Sequence, residues 1–267
     1  MDGLESLYAR LRLDPLAHLG RKSVRLIDPY EMGYEMGRAA RGHPPLKSEL
    51  SGRAFQQWAE QKYCWTADMG CRQNVIAFAV LFSADEQVAF DTYFSMREAA
   101  RRELGADAAT AEEDHFQPPK GLLEFIRSEH FRARPGLYIG HPRLDALWAL
   151  CSGFVWAEKD LGIEASEAQV FTSGFQSWIE ARFPFSKGVP WNRTLDFLAL
   201  SDPGRAWSSF YDALEAFAAG CGPDSLSKTG EQVLQGITRQ VLATNPNASP
   251  QEIAAKFRQT VKNICPM

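Results

Sequence analysis

"FQQWAEQKY" (Phe55–Tyr63) is echoed 120 positions later by "FQSWIEARF" (Phe175–Phe183). Phe, Gln, Trp and Glu recur at the same four places, and the pairs Lys62/Arg182 and Tyr63/Phe183 keep their chemistry. On a helix, Phe and Trp three residues apart share one apolar stripe, which leaves Glu60 and Glu180 outside it. Trp58 and Trp178 therefore read as core. Gln56 and Gln176 are each able to satisfy a buried backbone group.

The echo extends in both directions. Upstream, at the same separation, "DPLAHLG" (Asp14–Gly20) lies on "RPGLYIG" (Arg134–Gly140), and Gly33–Tyr34 lies on Gly153–Phe154. Downstream, after a three-residue gap, "SADEQVAFDTYFSMREAA" (Ser83–Ala100) lies on "LSDPGRAWSSFYDALEAF" (Leu200–Phe217). Landmarks in one order with one small gap predict two tandem copies of a module of about 85 residues, small-domain size and too long for a solenoid repeat. The expected organisation is a first, degenerate copy over 1–104, a linker over 105–118, a second copy over 119–218 and a C-terminal helical extension over 219–267.

Local signals assign these copies to a mainly α fold. Trp207, Phe210, Tyr211, Leu214 and Phe217 recur at helical spacing. Pro203 after Ser201–Asp202 predicts a helix start with proline at its first position, and Ser83 with Glu86 predicts a capping box for the matching helix. Helices over Leu4–Leu13 and Leu122–Phe131 lead into a Pro-to-Gly corner, and the next helices are expected to end near Gly37 and Gly162. "VIAFAVLF" (Val75–Phe82) reads as a buried helix by its match to "TLDFLALS" (Thr194–Ser201), and "SPQE" (Ser249–Glu252) opens a helix in the extension.

Composition narrows the function classes. The 267 residues are 45% apolar and 23% charged, a globular balance, and the net charge of −4 argues against a general nucleic-acid binder. "MDGLESLYARLRLDP" has no apolar core, so no secretory signal is expected, and no apolar run reaches membrane-spanning length. Five cysteines without a CxxC pair fit free thiols in a reducing cytoplasm.

Catalytic chemistry is hard to place. His18, His43, His115, His130 and His141 lie in no metalloprotease, deaminase or nucleophile-elbow pattern, and are expected to be solvated or capping. No phosphate-binding glycine loop is present, and no metal or cofactor is expected. "RARPGLYIG" (Arg132–Gly140) is similar to a stretch of the gyrase B type ATPases, but the acidic and lid motifs those enzymes need are missing; it reads as a helix corner.

The assembled pattern, Arg134-Pro135-x-x-Tyr138-Ile139-Gly140, Gly153-Phe154, Phe175-x-x-Trp178, Trp191, then Ala206, Phe210 and Phe217, resembles immunity proteins encoded beside bacterial polymorphic toxins. The second copy carries it fully. The first departs from it, with Asp14 for the arginine, His18 for the tyrosine and no tryptophan to match Trp191. The resemblance implies a cytoplasmic, non-enzymatic inhibitor of a secreted effector, of the type VI kind, whose toxin domain could be a nuclease. It implies no catalytic residues. Two other readings stay open: a hydrolase with a cleft between the copies, or an adaptor for another helical protein.

The loops are where the copies disagree. Arg38–Arg53 is net basic, whereas Glu158–Gln169 is net acidic. An acidic surface suits a basic, phosphate-binding partner, and loops on a shared scaffold are the place for acquired specificity. Asp160, Glu164 and Glu167 are the first candidates for partner binding, and Glu112, Glu113 and Asp114 of the linker the second.

Overall fold

The computed structural model describes residues 3–44, 46–48, 50–63, 75–76, 79–80, 83, 85–105 and 119–219. The expected C-terminal helices, the linker acids and half of Val75–Phe82 lie outside the described residues; Val75, Ile76, Ala79 and Val80 are helical. Among the described residues all regular elements are helical, with one isolated bridge between Gly3 and Lys47. The fold is mainly α.

Helix α1 (Leu4–Leu13) buries Leu4, Leu7, Tyr8 and Leu11 and stops at Asp14. The Asp14 carboxylate accepts the Ala17 N–H at 3.0 Å and so caps α2 (Pro15–Leu19), with proline at the start where its missing N–H costs nothing. Gly20, at φ +70°, ends α2. In the second copy the expected single helix over Leu122–Phe131 is two, α6 (Leu122–Arg127) and α7 (Glu129–Ala133). Ser128 causes the break: its backbone is extended and its hydroxyl caps the Phe131 N–H, a choice the hydrophobic period does not register. The corner then repeats. Arg134 has nearly the backbone of Asp14 (φ/ψ −138°/54° against −136°/72°), and α8 (Gly136–Ile139) ends on Gly140 at φ +73°.

Helix α3 (Ile27–Ala39) and helix α9 (Leu144–Asp160) correspond in the two copies. Gly162 lies just past the end of α9 at φ +70°, as a helix stop should. Helix α3 ends at Ala39, near Gly37 as expected, although Gly37 itself lies inside the helix. Its task is close approach. A Cβ on Gly33 would lie 2.7 Å from the Leu150 carbonyl carbon, and one on Gly153 would lie 2.9 Å from the Tyr34 nitrogen and against the Tyr30 carbonyl. Gly37 sits on the Phe154 backbone and on the Cβ of Ala157. Small residues four apart, Gly33/Gly37 and Gly153/Ala157, let the two backbones touch. The contacts advance together along both helices, so α3 and α9 run in the same direction.

The contacts are also reciprocal. Gly33 meets Leu150 and Gly153 meets Tyr30, each residue 120 positions from its counterpart, and Gly37 meets its own counterpart Ala157. Residues 120 apart in sequence thus hold equivalent places along the two helices.

The later helices match as well. Helix α4 (Gly52–Tyr63) packs on α5 (Glu86–Leu104), and α10 (Glu167–Arg182) on α11 (Trp191–Leu198) and α12 (Pro203–Ala218). Phe55 meets Tyr93 edge-on at 5.7 Å, and Phe175 meets Phe210 edge-on at 5.8 Å. Phe55 stacks on Trp58 and Phe175 on Trp178, both at 6.2 Å. Trp58 is buried as expected; Trp178 is half-buried. Asp202 caps α12 through the Arg205 N–H, as the sequence predicts. The matching cap in the first copy is Asp85, which accepts from the Gln87 and Val88 N–H groups. The expected Ser83–Glu86 box is displaced by this nearer carboxylate, and Glu86 instead accepts from the Ser23 hydroxyl.

Two compact units result, one of residues 1–140 and 149–164 and the other of 141–148 and 165–267. Residues 122–140 and 149–164 of the second copy thus belong to the first unit.

Candidate functional site

The segment that follows the glycine crossing is the natural place to look, because there the two copies differ most. In the second copy it begins with Glu158, Lys159 and Asp160 at the end of α9. Glu158 is fully buried and pairs with Arg41 at 2.6 Å. Asp160 receives Arg10 at 2.7 Å and the Tyr34 hydroxyl at 2.5 Å, while Arg10 also donates to the Tyr34 oxygen at 3.3 Å. Burial works against the charge on Arg10, but its bonds to Asp160 and Tyr34 outweigh that and raise its pKa. The Tyr34 hydroxyl is pushed up, by burial first and by Asp160 second.

His18 completes this cluster and corrects the expectation of a solvated or capping histidine. It is 5% exposed, shares a 2.8 Å hydrogen bond with the Tyr30 hydroxyl and packs on the Trp156 ring at 4.5 Å. Burial, aided by Arg10, lowers its pKa, so the neutral ring is favoured. Burial raises Tyr30 well above its ordinary value. The pair is a buried hydrogen bond between a neutral imidazole and a phenol that holds its proton.

A second polar cluster lies in the same unit. Arg97 lies 4.0 Å over the Tyr8 ring and donates to Glu5 at 3.3 Å and to the Leu50 carbonyl at 3.3 Å. Tyr8 donates to the buried Glu31. Burial works against the charge on Arg97, but Tyr8 and Tyr93, and after them Glu5 and Glu31, outweigh it and raise its pKa. The sequence carried a signal for this residue. Arg97 falls on the buried stripe of Phe90, Tyr93 and Phe94, where the second copy places the apolar Leu214.

The predicted partner-binding residues separate into three groups. Asp160 is taken up by Arg10 and Tyr34, so much of its charge is spent inside the chain. Glu164 and Glu167 are exposed, the latter in the first turn of α10, where a carboxylate suits the helix dipole. Glu112, Glu113 and Asp114 lie outside the described residues. Among the described residues no three of His, Cys, Asp and Glu converge on a metal position, and no helix is long and apolar enough to cross a membrane. Cys151 is buried and its thiol is pushed up by burial; the other four cysteines lie outside the described residues.

Glu60 and Glu180 are held by their own helices. Gln56 donates to Glu60 at 2.6 Å and Gln176 to Glu180 at 2.7 Å. Gln176 also fulfils the expected backbone role, donating to the Val189 carbonyl at 2.9 Å and accepting the Trp191 N–H at 2.8 Å. Comparison with protein-family models, with curated proteins and with solved structures finds no match.

Proposed function

We propose that the chain is a non-enzymatic inhibitor that binds a secreted toxin, of the type VI effector kind, as the immunity proteins it resembles do. The observation that supports this reading is the contrast between a repeated scaffold and loops of opposite charge, Arg38–Arg53 against Glu158–Gln169. The buried Glu158 and the ion-paired Asp160 hold the acidic segment to its scaffold, and the exposed Glu164 and Glu167 carry the charge that a basic partner would meet. Inhibition then works by occlusion, with charge complementarity raising the encounter rate. A toxin with a nuclease domain fits, since its phosphate-binding surface is basic.

The test is co-expression with the toxin encoded next to this gene, followed by binding of the purified pair. The native chain should restore growth and bind 1:1 with a salt-dependent on-rate. Glu164→Lys with Glu167→Lys should slow association by about tenfold or more at low salt. An unchanged rate removes these two residues from the docking site, and failure to restore growth removes the inhibitor reading.

A further inference from the structure

Four positions set the first copy apart from the second. Glu5, Tyr8 and Glu31 lie 120 positions before Phe125, Ser128 and Cys151, and Arg97 falls on Leu214 at the downstream separation of 117. Where the second copy has a phenylalanine, a cysteine and a leucine, the first places two carboxylates and a guanidinium. Glu31 and Arg97 are buried, and Glu5 nearly so. Apolar side chains fill such positions at less cost, since every buried charge must be taken out of water. A polar cluster kept here points to a task other than packing.

Arg97 is not fully used inside that cluster. Its contacts with the two Glu5 oxygens, the Ser48 hydroxyl and the Leu50 carbonyl are 3.3–3.4 Å long. A charge-assisted bond is typically about 2.7–2.9 Å. The other ion pairs described above are closed tightly, Arg10 on Asp160 at 2.7 Å and Arg41 on Glu158 at 2.6 Å. All the Arg97 contacts run through Nη2, and none of its described bonds uses Nε or Nη1. Those two nitrogens carry the larger share of a guanidinium's N–H donors.

The same arginine lines an open groove of about 270 Å³ between α1 and α5. Tyr8, Ala9 and Phe94 give the groove apolar surface, with the two rings edge-on at 6.2 Å. Arg12 and Arg101 stand at its exposed rim. Glu98 answers Arg12 at 3.2 Å, a pair more than half exposed and so screened by solvent. Glu5 answers Arg97 only through the long Nη2 contacts. The buried charge that is incompletely met is that of Arg97.

We infer that this groove is a binding site for a small molecule bearing a carboxylate or phosphate group on an apolar body, with its anionic oxygens on Arg97 and its body against Tyr8 and Phe94. The planar guanidinium suits either oxyanion. The inference goes beyond the inhibitor reading and does not involve Glu164 or Glu167.

Benzoate and phenyl phosphate are the probes, with benzyl alcohol as the uncharged control. Each is titrated into the native full-length chain and followed by amide NMR. At least one anion should bind with a Kd of about 1 mM or tighter and shift the amides of Tyr8, Ala9, Phe94 and Arg97. The tighter of the two separates carboxylate from phosphate. Benzyl alcohol should bind at least tenfold more weakly than the better anion. Arg97→Leu, which installs the residue of the second copy, should weaken that anion at least tenfold. Ala9→Phe, at an exposed helix position, should fill the groove and weaken it at least tenfold with Arg97 in place; it serves where Arg97→Leu does not fold.

Binding of neither anion would overturn the inference. So would benzyl alcohol within tenfold of the better anion, shifts centred away from α1 and α5, or a loss of less than tenfold in either folded variant.

Discussion

In the second copy Gln176 reaches from α10 to the turn before α11 and bonds two backbone groups there, at Val189 and Trp191. In the first copy Gln56 makes the same bond to its own glutamate, but its Oε1 is buried with no partner among the described residues. The neighbouring edge is finished by charge instead: Trp58 donates to Glu103 at 2.8 Å, and Lys62 pairs with the same carboxylate. The Lys62 and Trp58 bonds hold Glu103 below the usual carboxylate range. One helix surface thus serves as a backbone clamp in one copy and as the base of an exposed charged edge in the other. What the copies keep is the aromatic packing; what they vary is how the polar rim is closed.

The strongest way to break the comparison is at the glycines the copies share. Gly33→Ala and Gly153→Ala each drive a methyl into the opposite backbone, which has no rotamer to yield. Each should cost about 3 kcal/mol or more by chemical denaturation, at the upper end for overpacking. Gly136→Ala, whose added methyl meets nothing within 4 Å, is the control and should change stability by less than about 0.5 kcal/mol. If one crossing glycine tolerates alanine and the other does not, the two sides are not equivalent.

A smaller effect separates the two glutamines. Gln176→Ala strands a carbonyl and an N–H and should cost about 2 kcal/mol, with faster hydrogen exchange at Trp191. Gln56→Leu removes an oxygen with no partner among the described residues and one bond to the half-buried Glu60, and should cost under about 1 kcal/mol. Equal losses would show that both glutamines clamp alike.

The smallest expected effect concerns His18, whose counterpart Tyr138 is held by burial above the ordinary tyrosine value. Burial and Arg10 lower the His18 pKa, and Asp14 and Asp160 oppose them only in part. Below about pH 6.5 the unfolded chain then binds more protons than the folded one. Stability therefore rises with pH through that range and is lost as pH falls from about 6.5 toward the folded pKa. His18→Gln should flatten this part of the stability–pH curve, measured by urea midpoints at successive pH values. An unaltered slope would assign it to other groups.

Local chemistry explains which parts of this architecture were legible in sequence. Caps and corners are short-range, so Asp202–Pro203 and the Pro-to-Gly turns were readable, although the nearer Asp85 displaced Ser83 and Ser128 split a helix that the apolar period left whole. Gly37 marks in sequence only the neighbourhood of a helix end; a helix more than a hundred residues away gives it its packing role. Asp160 was readable as an acid open to a partner for the same reason, since nothing in its neighbourhood announces Arg10. Charges meant for the surface and charges meant for a distant partner look alike in one dimension. Glu164 and Glu167 differ from Asp160 in that both stay exposed to solvent.

The Arg41–Glu158 pair also shows what one continuous chain permits. In an assembly of identical subunits every substitution appears on both sides at once, so a cation placed for one face is forced on the other. A single chain is free of that constraint: α3 is followed by the arginine while α9 carries the carboxylate. The same freedom allows Glu158–Gln169 to be acidic while Arg38–Arg53 is basic, a division of charge that identical subunits cannot hold.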